Sequence, residues 1–212
     1  MAIYLDSALI SEAEVASLMG WVKGITTNPT LLAKSDRPPE ITLKKLASLT
    51  SGPVFYQLMA SNFDEMLAEG RKAFEIIRDQ TVLKIPATPV GFQVVTCLSP
   101  QIACSVTAIY SAAQAAVARE AGARMAIAYV NRATRLLGDG IALVRDMASV
   151  LSGSNTEILA ASIKSPEEAA AALQAGAHHL TLPLAMLQSM ATHEFSEKTI
   201  EEFAKNGIGL KI

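Results

Sequence analysis

The sequence predicts an α/β fold in which eight parallel strands close into a (β/α)8 barrel, a TIM barrel with one extra C-terminal helix. Three observations lead to this prediction. Eight short apolar runs each precede a longer segment of helical period, with a mean spacing of about 25 residues. No ninth strand follows the eighth unit, which favours a closed barrel over an open sheet. The glycine-rich motifs GxGxxG and GxxxxGKS/T, which the open sheet of a nucleotide-binding protein requires, are absent.

The predicted elements follow one another along the whole chain, and its 212 residues are enough for one well-buried domain, residues 1–212. The predicted strands are Ala2–Leu5, Gly24–Thr27, Pro53–Met59, Thr81–Pro86, Ile102–Val106, Ala126–Val130, Glu157–Ala161 and His179–Leu182. The predicted helices are Glu12–Gly20, Pro39–Thr50, Asn62–Asp79, Val90–Leu98, Ala112–Ala121, Gly138–Leu151, Pro166–Ala175, Leu184–Ala191 and the additional Ser196–Lys205.

Local signals support several helix ends. Ser11 precedes Glu14 by three residues, which is the spacing of a capping box. Ser165 stands before Pro166 and two glutamates, a sequence typical of an N-cap, a first helical position and a negative first turn. Glycines that can end helices are Gly20, Gly122 and Gly176.

Composition excludes several function classes. A net charge of −2 gives no basic field for nucleic acid. Cys97 and Cys104 form neither a CxxC pair nor a disulfide framework, so we expect free thiols in a reducing compartment. The N-terminus lacks the basic and apolar regions of a leader, and no apolar stretch has the length of a membrane span. We therefore predict a cytoplasmic protein with neither a nucleic acid nor a membrane as partner.

Lys84 is the most informative residue, because it lies in the middle of the apolar run Thr81–Pro86. Runs of this kind are usually buried on both faces of a parallel sheet, where a lysine is rare unless it is paired or used. Desolvation disfavours its ammonium form, and a neutral amine is what Schiff-base chemistry requires. The alternative is a lysine near a strand end whose amine reaches water.

Polar residues stand at the C-terminal ends of seven predicted strands, which is where a barrel of this kind carries its active site. Each has a structural alternative: Asp6 and Asn28 can cap turns, and Gln57 and Tyr129 can be half-buried strand residues. Their occurrence at one end of the barrel favours a site for carbonyl chemistry. These residues are Asp6, Thr26, Thr27, Asn28, Gln57, Lys84, Thr107, Tyr129, Asn131, Arg132 and Ser162, with Tyr110, Gln114 and Lys164 beyond the strand ends.

Six segments carry a family resemblance: Leu5-Asp6, residues 24–29 (GITTNP), residues 83–88 (LKIPAT) with Gly91, residues 107–110 (TAIY) with Gln114, residues 129–132 (YVNR) and residues 160–164 (AASIK). In order and content they resemble the small transaldolase-like family, which includes fructose-6-phosphate aldolase, from Ile3 to about Leu184. The resemblance implies a (β/α)8 barrel and a class I aldolase-type mechanism without metal or other cofactor. It also implies that Lys84 forms the Schiff base with a ketose, while Asp6 holds and protonates sugar hydroxyls.

Two positions separate the activities within the family. Transaldolases carry glutamate on strand three and typically phenylalanine on strand six, whereas fructose-6-phosphate aldolases carry glutamine and tyrosine, and this chain has Gln57 and Tyr129. The chemistry agrees with this pattern, because a tyrosine hydroxyl can move a proton while Gln57 and Thr107 hold a water. The predicted function is therefore cleavage or formation of fructose 6-phosphate. The alternative is a transaldolase that transfers a dihydroxyacetone unit to erythrose 4-phosphate.

The substrate implied by the resemblance is a small phosphorylated sugar. Arg132 offers a planar fork for phosphate oxygens, Ser162 offers a hydroxyl beside it, and Thr26 and Asn28 are further candidates for substrate binding. Lys164 is either a helper or a solvated loop lysine.

Two features differ from the family pattern. Ile127 stands where the aldolases have a small residue, which bears on donor choice, and the loop after Arg132, residues 133–140, lacks their glycine- and serine-rich form. In the family the C-terminal helix packs on a neighbouring subunit, so the resemblance implies a homo-oligomer, a pentamer or decamer.

Overall fold

The computed structural model describes residues 1–210, which form a closed barrel of parallel strands in chain order. The predicted barrel is therefore confirmed, and three strands have the predicted bounds; residues 211 and 212 of the predicted domain lie outside the described residues. The strands are β1 (Ala2–Asp6), β2 (Val22–Thr26), β3 (Val54–Gln57), β4 (Thr81–Pro86), β5 (Ala103–Ile109), β6 (Met125–Tyr129), β7 (Glu157–Ala161) and β8 (His179–Leu182).

Helices cover the outside of the barrel, and two of them were not predicted. The helices of the described chain are α1 (Ile10–Ser17), α2 (Pro29–Leu32), α3 (Pro39–Ser48), α4 (Phe63–Ile77), α5 (Pro89–Leu98), α6 (Ala112–Glu120), α7 (Val130–Leu137), α8 (Gly140–Leu151), α9 (Pro166–Gln174), α10 (Leu184–Met190) and α11 (Glu194–Asn206). The unpredicted helices α2 and α7 follow β2 and β6, so both lie at the C-terminal end of the barrel.

Helix α7 corrects the prediction for this part of the chain. The sequence predicts a sixth strand that ends at Val130, with Asn131 and Arg132 at its C-terminal end and a loop after them, yet all three residues lie in the first turn of α7. Val130 and Ala133, three positions apart, are fully buried and hold the helix against the barrel. Because α7 begins directly after Tyr129, no turn residue marks the change of period from strand to helix.

Two of the predicted helix ends are wrong and three are confirmed. The capping box at Ser11 does not form, because α1 already begins at Ile10 and its N-cap, Leu9, makes no side-chain hydrogen bond. Gly20 does not end α1, because this helix ends at Ser17 with Leu18 as its C-cap, and Gly20 does not have a positive φ. Ser165 caps α9 by accepting a hydrogen bond from Glu168 N at 3.1 Å. The remaining two, Gly122 (φ +88°) and Gly176 (φ +109°), follow α6 and α9 in the left-handed region that glycine tolerates.

The barrel interior is filled below its C-terminal end. Tyr129 packs on this inner cluster from above, and Ile127, one of its members, is fully buried. Interior side chains of such barrels form a packed core, so the cluster is a closed floor rather than a channel. Its buried members are Tyr4, Phe55, Val82, Met125, Ile127, Leu159 and Ala161.

Helix α11 lies apart from this core. None of its residues is buried, and Phe195, Ile200 and Phe203 are between 63% and 70% exposed. Among residues 1–210, no helix is both long enough and apolar enough to cross a membrane.

Candidate active site

A cavity of about 420 Å³ opens at the C-terminal ends of the strands. Its volume is within the range of about 300–1,000 Å³ that small-molecule sites occupy. Of the nine residues to which the sequence analysis gives a catalytic or substrate-binding role, seven line this cavity, and Thr26 and Thr107 do not. The lining residues are Asp6, Asn28, Pro29, Thr30, Leu31, Gln57, Lys84, Tyr129, Arg132, Ala161, Ser162, Lys164 and Thr181.

Lys84 is buried at the base of this cavity, with 3% of its surface exposed. Its Nζ donates a hydrogen bond to the backbone oxygen of Thr27 at 2.8 Å. Burial lowers the pKa of the Lys84 ammonium, while the nearby Asp6 carboxylate opposes this shift without cancelling it. The alternative of an amine that reaches bulk water is therefore wrong, and burial makes this amine lose its proton more easily than an exposed lysine does.

The strand that carries Lys84 is held closely by the next helix. Thr88 caps α5 by accepting a hydrogen bond from Gly91 N at 3.0 Å. A Cβ atom at Gly91 would lie 2.1 Å from the oxygen of Pro86, the last residue of β4. Glycine is therefore required where α5 meets the end of this strand.

Asp6 is joined to two buried threonines. Thr26 donates its hydroxyl proton to Asp6 Oδ1 at 2.8 Å, and the Thr26 hydroxyl also lies 2.5 Å from that of Thr181. Thr26 is fully buried, so it reaches the cavity only through Asp6. Thr181 lines the cavity from β8, the one strand for which no polar site residue was predicted.

Tyr129 and Thr107 form a pair of hydroxyls on the other side of the barrel, 2.9 Å apart. Thr107 lies within β5 rather than after the strand as predicted, and it is 1% exposed. A register shift between Val106 and Ile109, with Ala108 at φ +60°, marks a bulge at this point. Bulges beside active sites re-aim side chains, and this one directs the hydroxyl of Thr107 to Tyr129.

The surroundings of Tyr129 favour the protonated form of its hydroxyl. Burial is the main cause that raises the pKa of Tyr129, and the hydrogen bond with Thr107 only partly offsets it. The guanidinium of Arg132 lies over the Tyr129 ring at 5.2 Å from its centroid, a cation–π contact. A protonated phenol at the cavity wall can donate a hydrogen bond to a ligand.

Gln57 lines the cavity next to Lys84, which is its partner in the β3–β4 pairing. Its Oε1 is buried and accepts no hydrogen bond from any described part of the protein. Such an atom costs free energy unless a partner reaches it, so the site favours a ligand or water that donates a proton here.

Arg132, Ser162 and Lys164 form the polar rim of the cavity, and one carboxylate links the two segments that carry them. Glu168 accepts hydrogen bonds from Lys164 N at 2.6 Å and from Asn131 Nδ2 at 3.3 Å. Ser162 adopts φ +60°, unusual for a residue other than glycine, and its oxygen accepts from Asn131 N. Glu168 therefore joins α7 to the segment after β7.

Asn28 combines two roles that the sequence left open. Its Oδ1 accepts a hydrogen bond from Leu31 N at 3.0 Å and so caps α2, which agrees with the alternative that Asn28 caps a turn. It also lines the cavity. Because an amide carries two further donors, the Asn28 nitrogen can serve a ligand while its oxygen caps the helix.

A comparison with protein families decides what kind of barrel this is. The family model described as Transaldolase/Fructose-6-phosphate aldolase matches residues 3–210. The chain belongs to this family. The resemblance that the six sequence segments carry is therefore confirmed, and the transaldolase/fructose-6-phosphate aldolase family is a family of enzymes.

Relatives in this family are similar over almost their full lengths. A probable transaldolase of Symbiobacterium thermophilum is 33% identical over 209 residues, covering 97% of this chain and 96% of the relative. A probable transaldolase of a Hydrogenobaculum species is 36% identical over 209 residues, with the same coverage of both chains. Among solved structures, a mandelate oxidase variant superposes with a TM-score of 0.62 at 18% identity, over 94% of this chain and 70% of that one. This last similarity shows the fold alone.

Among residues 1–210, no three His, Cys, Asp or Glu side chains come together in a way that could hold a metal ion.

The sequence analysis did not predict two residues that hold polar groups of this site, Thr181 and Glu168. The alternation of β8, in which Thr181 stands two positions after His179, was the available signal for an inward-facing hydroxyl. For Glu168 the sequence suggested only a negative first turn of α9.

Proposed function

We propose that this protein breaks and forms a carbon–carbon bond of a phosphorylated ketose through a Schiff base at Lys84. The observation that carries the proposal is the burial of Lys84, with its lowered pKa, in a cavity that also contains Asp6. A neutral lysine in an apolar site is the nucleophile for this chemistry. No step of it requires a metal or another cofactor.

The proposed reaction starts with attack of Lys84 Nζ on the ketose carbonyl, with loss of water to give an iminium. Asp6 takes the proton of the hydroxyl on the second carbon from the iminium carbon, as the bond between this carbon and the one next to the iminium breaks. An aldehyde leaves, and the electron pair of the broken bond moves into the iminium, so an enamine remains on Lys84. Asp6 is suited to this step because Thr26 occupies only one of its oxygens.

The enamine has two fates, and the comparisons support transfer. Both relatives described above are named probable transaldolases. Their names support the transaldolase, the alternative predicted from the sequence, better than the cleavage that the sequence analysis put first. We therefore propose as the main activity the transfer of a dihydroxyacetone unit to an aldehyde such as erythrose 4-phosphate.

Cleavage of fructose 6-phosphate is a second candidate, favoured by the pair of Tyr129 and Thr107. Free dihydroxyacetone leaves only after the enamine carbon gains a proton and water attacks the iminium. The protonated hydroxyl of Tyr129, hydrogen bonded to Thr107, and the unpaired Oε1 of Gln57 can hold that water. A phenylalanine and a glutamate at these positions would not form the same group.

For the phosphate of the substrate, we propose a site at the rim formed by Arg132 and Ser162, with Asn28 directly, and Thr26 through Asp6, serving the sugar end. Arg132 is exposed and therefore available to a ligand. A guanidinium binds phosphate oxygens with two parallel hydrogen bonds, which a single hydroxyl or amide does not.

The test is a paired assay of the wild-type protein with fructose 6-phosphate. One arm contains no acceptor and measures free dihydroxyacetone; the other contains erythrose 4-phosphate and measures the new ketose phosphate. Formation of the ketose phosphate much faster than release of dihydroxyacetone supports the transaldolase, and release at least as fast as transfer supports the aldolase. Absence of both products, together with no borohydride-trapped adduct at Lys84, would overturn the proposal.

We further propose a cytoplasmic homo-oligomer, a pentamer or decamer, as the family resemblance implies. The exposed apolar residues Phe195, Ile200 and Phe203 of α11 are the surface that a neighbouring subunit would cover. Cys97 and Cys104, both free, agree with a reducing compartment. Light scattering of the wild type and of a Phe203→Ser variant tests the assembly, because loss of this contact should give smaller particles.

A further inference from the structure

The hydroxyls of Thr26 and Thr181 meet inside the barrel from the two strands that flank β1. Thr26 is the β2 partner of Asp6, and Thr181 lies on β8, which pairs with β1 from the other side. Their Oγ1 atoms are 2.5 Å apart, and neither side chain is more than 3% exposed. Two buried hydroxyls at this distance share one hydrogen bond.

Counting protons fixes the direction of that bond. A hydroxyl has one proton to donate, and an ionised carboxylate can only accept. Thr26 gives its proton to Asp6 Oδ1, so the proton between the two threonines belongs to Thr181. The order is therefore Thr181 to Thr26 to Asp6, a chain that ends on the carboxylate.

The chain has a consequence for how Asp6 meets a ligand. Alone, the hydroxyl of Thr26 can rotate, whereas a donor from Thr181 restricts it to the orientation in which it serves Asp6. Hydrogen bonds in series also polarise one another, which strengthens the bond to the carboxylate. One oxygen of Asp6 is thereby held, and the other is oriented for the substrate.

We propose that Thr181 is a positioning residue for the reaction: through Thr26 it holds Asp6 in the orientation that exchanges a proton with the sugar hydroxyl. This inference rests on the proposed function, since it assumes that Asp6 moves that proton. It predicts that Thr181 matters for bond cleavage and not for formation of the Schiff base at Lys84.

The experiment compares Thr181→Val, which removes the hydroxyl at nearly constant volume, with Thr181→Ser, which keeps it. Thr81→Val is the matched control, because Thr81 is also a buried strand threonine whose hydroxyl donates to a backbone oxygen, that of Arg78. For each protein, kcat and KM are measured in both arms of the paired assay, and borohydride trapping at Lys84 is measured by mass spectrometry.

We expect Thr181→Val to lower kcat about tenfold with KM changed less than about twofold, and with trapping at Lys84 retained. Thr181→Ser should recover most of the wild-type kcat, and Thr81→Val should leave it unchanged. In a double-mutant cycle, Thr26→Val with Thr181→Val should be no slower than Thr26→Val alone, since the two hydroxyls act as one chain.

Three results would overturn the inference: a wild-type kcat for Thr181→Val, no recovery in Thr181→Ser, or losses that multiply in the double variant. The comparison of valine with serine is valid whether the enzyme cleaves or transfers. Wild-type protein without trapping at Lys84 would instead overturn the proposed function, and the inference with it.

Discussion

Lys84 Nζ donates a hydrogen bond to the backbone oxygen of Thr27 at 2.8 Å. Within residues 1–210, Thr27 is the one hydrogen-bond partner of this amine. No carboxylate among residues 1–210 comes within ion-pair distance of the amine. A neutral backbone acceptor orients the amine without strongly favouring its charged form, unlike a direct carboxylate partner. The hydrogen bond to Thr27 thus positions the amine, whereas burial lowers its pKa.

The first prediction is that Lys84 carries the substrate. Borohydride reduction in the presence of fructose 6-phosphate should attach the ketone mass to the peptide that contains Lys84. Lys84→Met should lose this adduct and several orders of magnitude in activity. Lys164→Met, at the exposed rim of the same cavity, is the control and should still be labelled; an adduct on Lys164 or Lys34 would contradict the assignment.

The second prediction concerns stability. Because burial lowers the pKa of Lys84, the folded protein holds fewer protons at this site than the unfolded chain at pH values between the two pKa values. The free energy of unfolding of the wild type therefore rises with pH in that interval. Burying the ammonium form of Lys84 costs free energy there, and a methionine at this position has no such cost. We expect Lys84→Met to raise the midpoint of urea unfolding at about pH 7, with a smaller gain near about pH 10. A destabilised variant at neutral pH would show that attraction to Asp6 outweighs desolvation.

The third prediction separates the two fates of the enamine. Tyr129→Phe removes one hydroxyl and leaves Thr107 without its partner, so release of free dihydroxyacetone should fall by about tenfold to a hundredfold. Transfer to erythrose 4-phosphate should fall much less, and trapping at Lys84 should remain. Adding Gln57→Glu should shift the remaining activity further towards transfer. An equal loss of release and transfer would contradict this prediction, because it would show that Tyr129 acts in a step that both reactions share.

The fourth prediction concerns the phosphate. Arg132→Ala should raise KM for phosphorylated aldehydes far more than for unphosphorylated ones, by about 1.5–3 kcal/mol of binding free energy. The variant also removes the cation over the Tyr129 ring, so kcat with an unphosphorylated acceptor reports that second effect. An identical KM change for both substrate classes would remove Arg132 from the phosphate site.

The fifth prediction tests the carboxylate that joins α7 to the segment after β7. Glu168→Ala leaves Lys164 N and the amide of Asn131 without their acceptor, so Arg132 and Ser162 should lose their relative position. We expect KM for phosphorylated substrates to rise about tenfold, with little change for unphosphorylated ones. Glu167→Ala on the same turn is the control; it should behave like the wild type, and a matching effect there would point to the charge of the helix terminus instead.

The strands could be predicted from the sequence because each one is an apolar run between polar segments, and the lysine inside β4 stands out against such a run. Helix α7 could not be predicted, because strand and helix meet at Tyr129 and Val130 without a turn residue between them. The links of Thr181 with Thr26, and of Glu168 with Asn131, join residues 155 and 37 positions apart. Such pairs depend on the closure of the barrel, which local sequence patterns do not contain.

The packed floor beneath Tyr129 has a kinetic consequence. With the interior filled by Phe55, Ile127 and their neighbours, ligands enter and leave only through the open end. In the proposed transfer reaction, the aldehyde product must depart before an acceptor aldehyde reaches the enamine on Lys84, so the two cannot be bound in the productive position together. A transferase built in this way alternates between free and substituted enzyme, and its double-reciprocal plots should be parallel lines at different acceptor concentrations.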